Sequence, residues 1–304
     1  MWITPSLTSR VVAVALAAAF VAAAGPVLAQ ESRASVNLDR YRAAETPEDG
    51  FAISRPDGFG HLHFGAQLQL DYGYNPLVWE TDQGDLGTQE ESIVEHQLVG
   101  TVGVAFGLIN RVVIFAGLPI TIVMNGEENP SAWSAHGASI GDFYLGGRFR
   151  ILGDSDSFLS LGVQATLTAP TARAAEESQA FAGEQNFTGH PEVLLELRPG
   201  DFRIAFNLGA RFREPADFDT FGSGQEITYG IGATYDVLPM LDIMAELYGS
   251  YNFTDHGARE AANMELIAGA RVHVGDGFLI GAAAGLGLLR GAGTPAARAV
   301  LTVG

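Results

Sequence analysis

From His61 onward the apolar and polar positions of the chain alternate with period two. Between Phe202 and Phe212, the even positions Phe202, Ile204, Phe206, Leu208, Ala210 and Phe212 are apolar. Arg203, Ala205, Asn207, Gly209 and Arg211 stand between them. The same pattern runs from Leu241 to Phe253, with Asp242, Met244, Glu246, Tyr248, Ser250 and Asn252 in the intervening places. Alternation over so many residues describes a strand with one apolar and one polar face. Soluble strands average about 5 or 6 residues, whereas a tilted strand crossing a membrane needs about 9 to 11.

About twelve such segments follow one another: 61–74, 92–107, 111–123, 139–151, 157–169, 190–198, 201–213, 225–236, 241–254, 262–274, 278–288 and 297–303. Their connections alternate in length. Short ones fall at 108–110, 152–156, 199–200, 237–240 and 275–277. Long ones fall at 75–91, 124–138, 170–189, 214–224, 255–261 and 289–296. An even strand number with tight turns at one end and long loops at the other predicts an all-β fold, an antiparallel up-and-down transmembrane β-barrel. Parity then puts the short turns in the periplasm and the long loops outside. Outward Phe106, Phe149, Phe202, Tyr235 and Phe278 beside the short turns, and Tyr72, Phe143, Phe212, Tyr251 and Phe253 toward the long loops, read as two interfacial girdles. A soluble β-sandwich would have shorter strands and no alternation of loop length.

The first thirty residues follow another rule. Arg10 precedes an apolar stretch from Val11 to Ala24, Gly25-Pro26 breaks it, and Val27-Leu28-Ala29 sets small residues around a cleavage point. This is the pattern of a secretory signal peptide cut after Ala29. Its apolar core of about 14 residues is short of the roughly 20 that span a bilayer. The expected organisation is a signal peptide over 1–29, a periplasmic N-terminal extension over 30–60 and the barrel over 61–304. The last strand, 297–303, is short and lacks an outward aromatic, yet it is needed to pair with both the first and the eleventh strands. Its ending predicts that the natural polypeptide continues past Gly304 or has lost its tail.

Composition narrows the chemistry. The chain has 304 residues, 38 Gly, no Cys and a net charge of −18, with its 17 basic residues all Arg. Without cysteine there is no disulfide framework and no thiol chemistry. An acidic chain without Lys lacks the basic footprint of a nucleic-acid binder. Mean hydropathy of +0.15 is too high for a disordered chain.

The inward faces carry the charge. A lumen network is expected from Glu95, Asp142, Arg148, Arg150, Glu192, Glu196, Arg198, Arg203, Arg211, Glu226, Asp242, Glu246, Glu265 and Arg271, with Arg213 and Arg298 on the same face. Hairpin arithmetic sets Arg198 against Asp201, Glu196 against Arg203, Arg211 against Glu226 and Asp242 against Arg271. Twelve strands lie between the side-chain-filled eight-stranded barrels and the open 16–18-stranded porins. Mixed signs and long Arg side chains therefore favour a salt-bridged lumen over a charged filter. Inward Gly65, Gly103, Gly162, Gly230, Gly232, Gly281, Gly285 and Gly287 leave room where strands curve or bulky groups cross the lumen.

Other constellations are weaker. His61 and His63 share a face without a third ligand. The acidic clusters Glu80, Asp82, Asp85, Glu90, Glu91 and Glu127-Glu128 read as solvated loops. No Ser and His stand together on an outward face, so no enzymatic role, cofactor or metal is expected.

The segments Val36–Tyr41, Glu48–Phe51, Arg55-Pro56, Leu62–Pro76, Gly141–Gly146, Leu167–Thr171, Asn207–Gly209 and Ala245–Gly249 resemble the N-terminal barrel region of large OmpA-family outer-membrane proteins. The resemblance implies a barrel in a Gram-negative-type outer membrane, joined in those proteins to a downstream domain that grips peptidoglycan. No such domain follows in this sequence. The expected partners are outer-membrane lipid and lipopolysaccharide, the barrel assembly machinery and, through a missing downstream domain, peptidoglycan. Two roles stay open. One is a porin-like passive channel for small solutes or a structural envelope protein. The other is a closed-lumen surface anchor or adhesion barrel whose long loops bind partners.

Overall fold

The computed structural model describes residues 36–304, apart from 58, 83–87, 127–136, 155, 175–180, 218–221, 255–260 and 276. The expected signal peptide and its cleavage point therefore lie outside the described residues, as do the side chains of the acidic clusters at 80–91 and 127–128. Twelve strands build the wall: β1 Phe64–Asp82, β2 Thr88–Leu108, β3 Val112–Asn125, β4 Tyr144–Leu152, β5 Leu159–Thr168 and β6 Thr188–Leu197, then β7 Phe202–Arg211, β8 Glu226–Leu238, β9 Leu241–Asn252, β10 Ala262–Val274, β11 Phe278–Leu289 and β12 Ala297–Val303. Each pairs antiparallel with its neighbours in chain order, and β12 pairs with both β11 and β1. Leu68 lies opposite Val303 on one side of the closing strand, and Ile280 lies opposite Val303 on the other. The barrel is closed, so the short β12 leaves no edge of unpaired backbone groups toward lipid.

Burial follows the alternation. Leu208 is 60% exposed while its neighbour Asn207 is 9% exposed. A buried leucine core would give the opposite ratio, so the apolar face looks outward and the polar face inward. Five connections lie at the short-turn end. The tightest places Ile109 and Asn110 at φ of 48° and 57°. Two successive positive values make the primed hairpin turn whose twist matches that of the strands.

Several boundaries depart from the alternation. β1 and β2 continue as a paired ribbon through the expected loop 75–91, as far as Asp82 opposite Thr88, after register shifts around Tyr74 and Leu77. The expected strand 139–151 is divided: Ser139–Ile140 form a two-residue pairing with β3, and β4 starts at Tyr144. At the β6–β7 turn the ladder ends with Leu197 opposite Ile204, leaving 198–203 outside it, and Glu196 faces Ala205 instead of Arg203. Gly200, at φ 68°, widens this turn beyond the two residues that Pro199-Gly200 suggests. Arg203 instead faces Thr234 of β8.

The largest departure concerns the segment expected as an extension in the periplasm. Its described part, residues 36–57, is buried along most of its length and bonds to inward side chains all round the barrel. It therefore runs inside the lumen. Val36 and Leu38 cluster with Leu77, Ile93, Val94, Met124 and Phe181 at the long-loop end. Asp57 reaches Arg150 at the short-turn end, and the chain then turns through 59–63 into β1. The physical reason is charge: a segment carrying three Arg and five carboxylates finds partners in the lumen that cross-strand pairing leaves unmatched.

Two measurements check this architecture. Leu208→Arg should destabilise the barrel by about 2–4 kcal/mol if the residue lies near the bilayer midplane. Leu208→Ala should cost far less, both read by urea unfolding in lipid vesicles. In the naturally cysteine-free chain, Cys placed at Asn186 should react with an impermeant maleimide on intact cells, whereas Cys at Gly200 should stay unlabelled. The reverse pattern would invert the orientation.

Candidate functional site

The site is the seam between the luminal segment 36–57, here called the plug, and the wall around it. At its upper end Asp39 bonds Arg298 at 3.1 Å, and the Arg298 guanidinium also meets Asp71 and Glu265 while stacking 5.0 Å above the Tyr41 ring. Arg40 reaches Glu226 at 3.4 Å. Glu226 is a hub, because Arg211 (2.8 Å), Arg213 (3.1 Å) and the Ser250 hydroxyl (2.9 Å) meet it from the wall. Arg213 also binds Glu184 at 2.8 Å.

Midway, the plug folds back on itself. The Ala44 amide donates to the Phe51 carbonyl, and Thr46 and Asp49 close a tight turn through backbone and side-chain bonds. Arg148 of β4, 2% exposed, grips this turn by bonding Asp49 at 2.7 Å and Glu45 at 3.1 Å. Arg271 donates to the carbonyls of Pro47 and Asp49 and holds Asp242 at 3.4 Å. Asp242 also takes up Arg203 and His273.

Beyond the turn, Glu246 of β9 accepts the successive amides of Phe51, Ala52 and Ile53 at 2.8, 2.7 and 3.2 Å. A carboxylate receiving three aligned amides is a strong, directional anchor. Gly50 is required here, since a side chain at that position would run into the Glu246 carboxylate. Asn207 bonds both the amide and the carbonyl of Ser54 at 2.8 Å, and Glu196 takes Arg55 and Arg198. Arg150 closes the lower end on Asp57 at 3.2 Å.

The inward glycines complete the cradle. Gly230 and Gly232 lie under Ile53, Gly281 under Phe51, Gly162 under Pro56 and Gly65 under Phe59, each too close to admit a side chain without displacement. What remains is a cavity of about 70 Å³ bordered by Arg42, Glu45, His190, Glu192, Arg211 and Tyr248. That is room for a few waters. Arg42 spans it to His190 (3.0 Å) and Thr166 (2.7 Å), and Glu192 sits 3.1 Å from the Gln164 amide.

Most of the lumen charges expected from sequence thus converge on the plug. Arg211 stands opposite Glu226 and Asp242 opposite Arg271 in the ladder. Glu265 bonds Arg298 and Tyr248. Two expected members stand elsewhere. Glu95 is about two-fifths exposed beside His96, because the bulged ribbon above the barrel no longer alternates lumen and lipid. Asp142 lies in the loop before β4, where it accepts the amides of Ala172 and Glu184 at 3.0 and 2.6 Å. Burial pushes its pKa up to about 6, against the lowering effect of those amides. His61 accepts the Ile109 amide and His63 packs edge-on against Phe59, so each is engaged locally. Among the described residues no group of three or more His, Asp or Glu could hold a metal.

Sequence reasoning missed the plug residues themselves: Asp39, Arg40, Arg42, Glu45, Asp49, Arg55 and Asp57. Their signal was available. A charge-dense stretch interrupted by Phe51 and Ile53 faces inward glycines and a wall with more Arg than its ladders neutralise.

Breaking one grip should free the plug before the barrel. Arg148→Met leaves Asp49 buried without its cation and Glu45 with Arg42 alone, at a cost of about 3–5 kcal/mol. Trypsin should then cut after Arg40 or Arg42 in a barrel that otherwise stays intact, while the wild type resists at these sites. Equal resistance of the two would mean that Arg148 does not hold the plug.

The wall is similar to that of an outer-membrane channel from Pseudomonas putida F1, with a TM-score of 0.65 at 13% identity over 82% of this chain and 96% of that one. The NanC porin gives 0.49 at 11% identity over 78% and 98%. LpxR from Salmonella typhimurium gives 0.42 at 11% over 78% and 98%. The first likeness shows an outer-membrane type of barrel, and the other two carry no further weight. No curated protein matches the sequence. None of these comparisons shows membership of the OmpA family. A family model described as "Putative MetA-pathway of phenol degradation" matches residues 19–288, nearly the whole chain, and the protein belongs to that family.

Proposed function

We propose that the protein is a passive outer-membrane channel for small solutes, closed at rest by its own plug and opened when residues 36–57 shift. The single observation behind this reading is the nature of the seam. A plug meant to stay could be held by apolar packing, but this one is held mainly by ion pairs and backbone hydrogen bonds. Such contacts can be exchanged for water or for a polar solute that enters as the plug leaves, because an ion pair that water reaches contributes only about 0–1 kcal/mol. The family's description names a phenol-degradation pathway, and a barrel serves a pathway of that kind by admitting small molecules through the envelope. Export by a signal peptide cleaved after Ala29 fits the same placement. No enzymatic role is proposed.

The rival reading is a surface anchor whose lumen stays shut, with partners on the long loops and a link to peptidoglycan through a downstream domain of OmpA type. The filled lumen is the observation in its favour.

Planar-bilayer conductance separates the two. The wild-type protein should show low or intermittent conductance. Glu246→Ala, which removes the acceptor of three plug amides, should raise the open fraction about tenfold or more, the effect of roughly 1.4 kcal/mol on a two-state equilibrium. A variant lacking residues 36–57 should be open throughout. If that deletion variant, assembled as a barrel, stays silent, the channel reading fails and the anchor reading stands.

A further inference from the structure

We propose that the lipid-facing side of strands β4–β7 carries a binding site for a membrane-dissolved alcohol, an apolar molecule with a single hydroxyl. Gly147, Ala165, Pro191 and Ala210 fall in one row across these four strands. Gly147 pairs with Ala165 and Ala165 with Pro191, and the β6–β7 register sets Pro191 against Ala210. The next row toward the short turns, Phe149, Val163, Val193 and Leu208, is large and outward, so the small residues form the floor of a trough. Its volume is about 690 Å³ and its lining mostly apolar. Small-molecule sites fall between about 300 and 1,000 Å³.

Arg148, Gln164 and Glu192 also border the trough but bond one another on the lumen side, so the backbone supplies the polar feature on its lipid side. Gly189 and Phe212 exchange both ladder hydrogen bonds, at 3.0 and 2.8 Å. In an antiparallel ladder the next pair to do so is two residues on, here Pro191 and Ala210. Proline has no N–H, so the Ala210 carbonyl loses the donor its ladder position calls for. The named β6–β7 pairing accordingly stops at Glu192–Gly209 and resumes only at Gly189–Phe212. A carbonyl short of a donor in an apolar setting is costly, and hydrocarbon tails have no donor to offer. A hydroxyl does. An alcohol would lay its apolar body on Gly147 and Ala165 and donate its O–H to Ala210. The site faces away from the lumen and stands whether or not the channel opens.

The test is photolabelling of the purified full-length protein in detergent with a diazirine-bearing octanol, against the matching diazirine octane without the hydroxyl. Mass spectrometry locates the adducts. The octanol should concentrate on the trough over the opposite apolar face around Leu266 and Ile280. Ala165→Leu, which fills the floor, should abolish labelling there by both probes. Pro191→Ala returns the missing N–H and should lower octanol labelling about three- to tenfold, the worth of one neutral hydrogen bond, while leaving octane labelling nearly unchanged. Even labelling around the barrel by both probes would overturn the site. Equal labelling of the trough by octanol and octane would overturn the alcohol in favour of a lipid chain. An unchanged octanol-to-octane ratio in Pro191→Ala would likewise overturn the role of the Ala210 carbonyl.

Discussion

A guanidinium withdrawn from water must be met by carboxylates or carbonyls, and the interior of this barrel is arranged around that demand. Arg148, Arg271 and Arg298 are each almost wholly buried. The ladders alone do not satisfy them. Arg148 hydrogen-bonds Gln164 on the wall, and the acids it pairs with directly, Glu45 and Asp49, come from the plug. Arg271 shares Asp242 with Arg203 and His273 and completes its bonding on plug carbonyls. Take the plug away without letting water in, and several buried charges lose their partners at once. A single such loss commonly costs about 3–5 kcal/mol.

The same demand keeps the plug from being a permanent core. Its apolar contacts are the cap at Val36 and Leu38 and a midway cluster in which Tyr41, Phe51 and Ile53 meet Met244, Tyr248, Ile267 and Val300 beside inward glycines. Elsewhere it is bound by groups that water could serve as well. A barrel open to water at both ends can hydrate those charges as the plug leaves, so the large cost of a dry lumen falls toward the small worth of exposed ion pairs. Under the proposed function, closure and release are then two outcomes of one set of contacts.

The wall answers to a separate constraint. Every backbone group facing lipid needs a partner, which is why β12, only seven residues long, still pairs along both flanks. The break at Pro191 stands out against that rule. It lies among residues too small to cover it.

What the sequence determined by itself was the wall. Alternation at Leu208/Asn207 or along Leu241–Phe253 depends only on the period of a strand and on which face meets lipid, and both are local. Strand number, loop-length alternation and closure followed from the same pattern, as did the pairs Arg211–Glu226 and Asp242–Arg271, whose loops lie symmetrically between them. The turn at Pro199-Gly200 did not follow, because one glycine at positive φ changes register without changing composition. Only the tertiary structure decided where residues 36–57 go. Nothing periodic marks an irregular segment, and its partners Arg148, Glu196, Glu246 and Arg298 lie about 100 to 260 positions away in the chain. Their meeting exists only once the barrel has closed around them, because the low dielectric that makes each charge need a partner is itself a product of that closure.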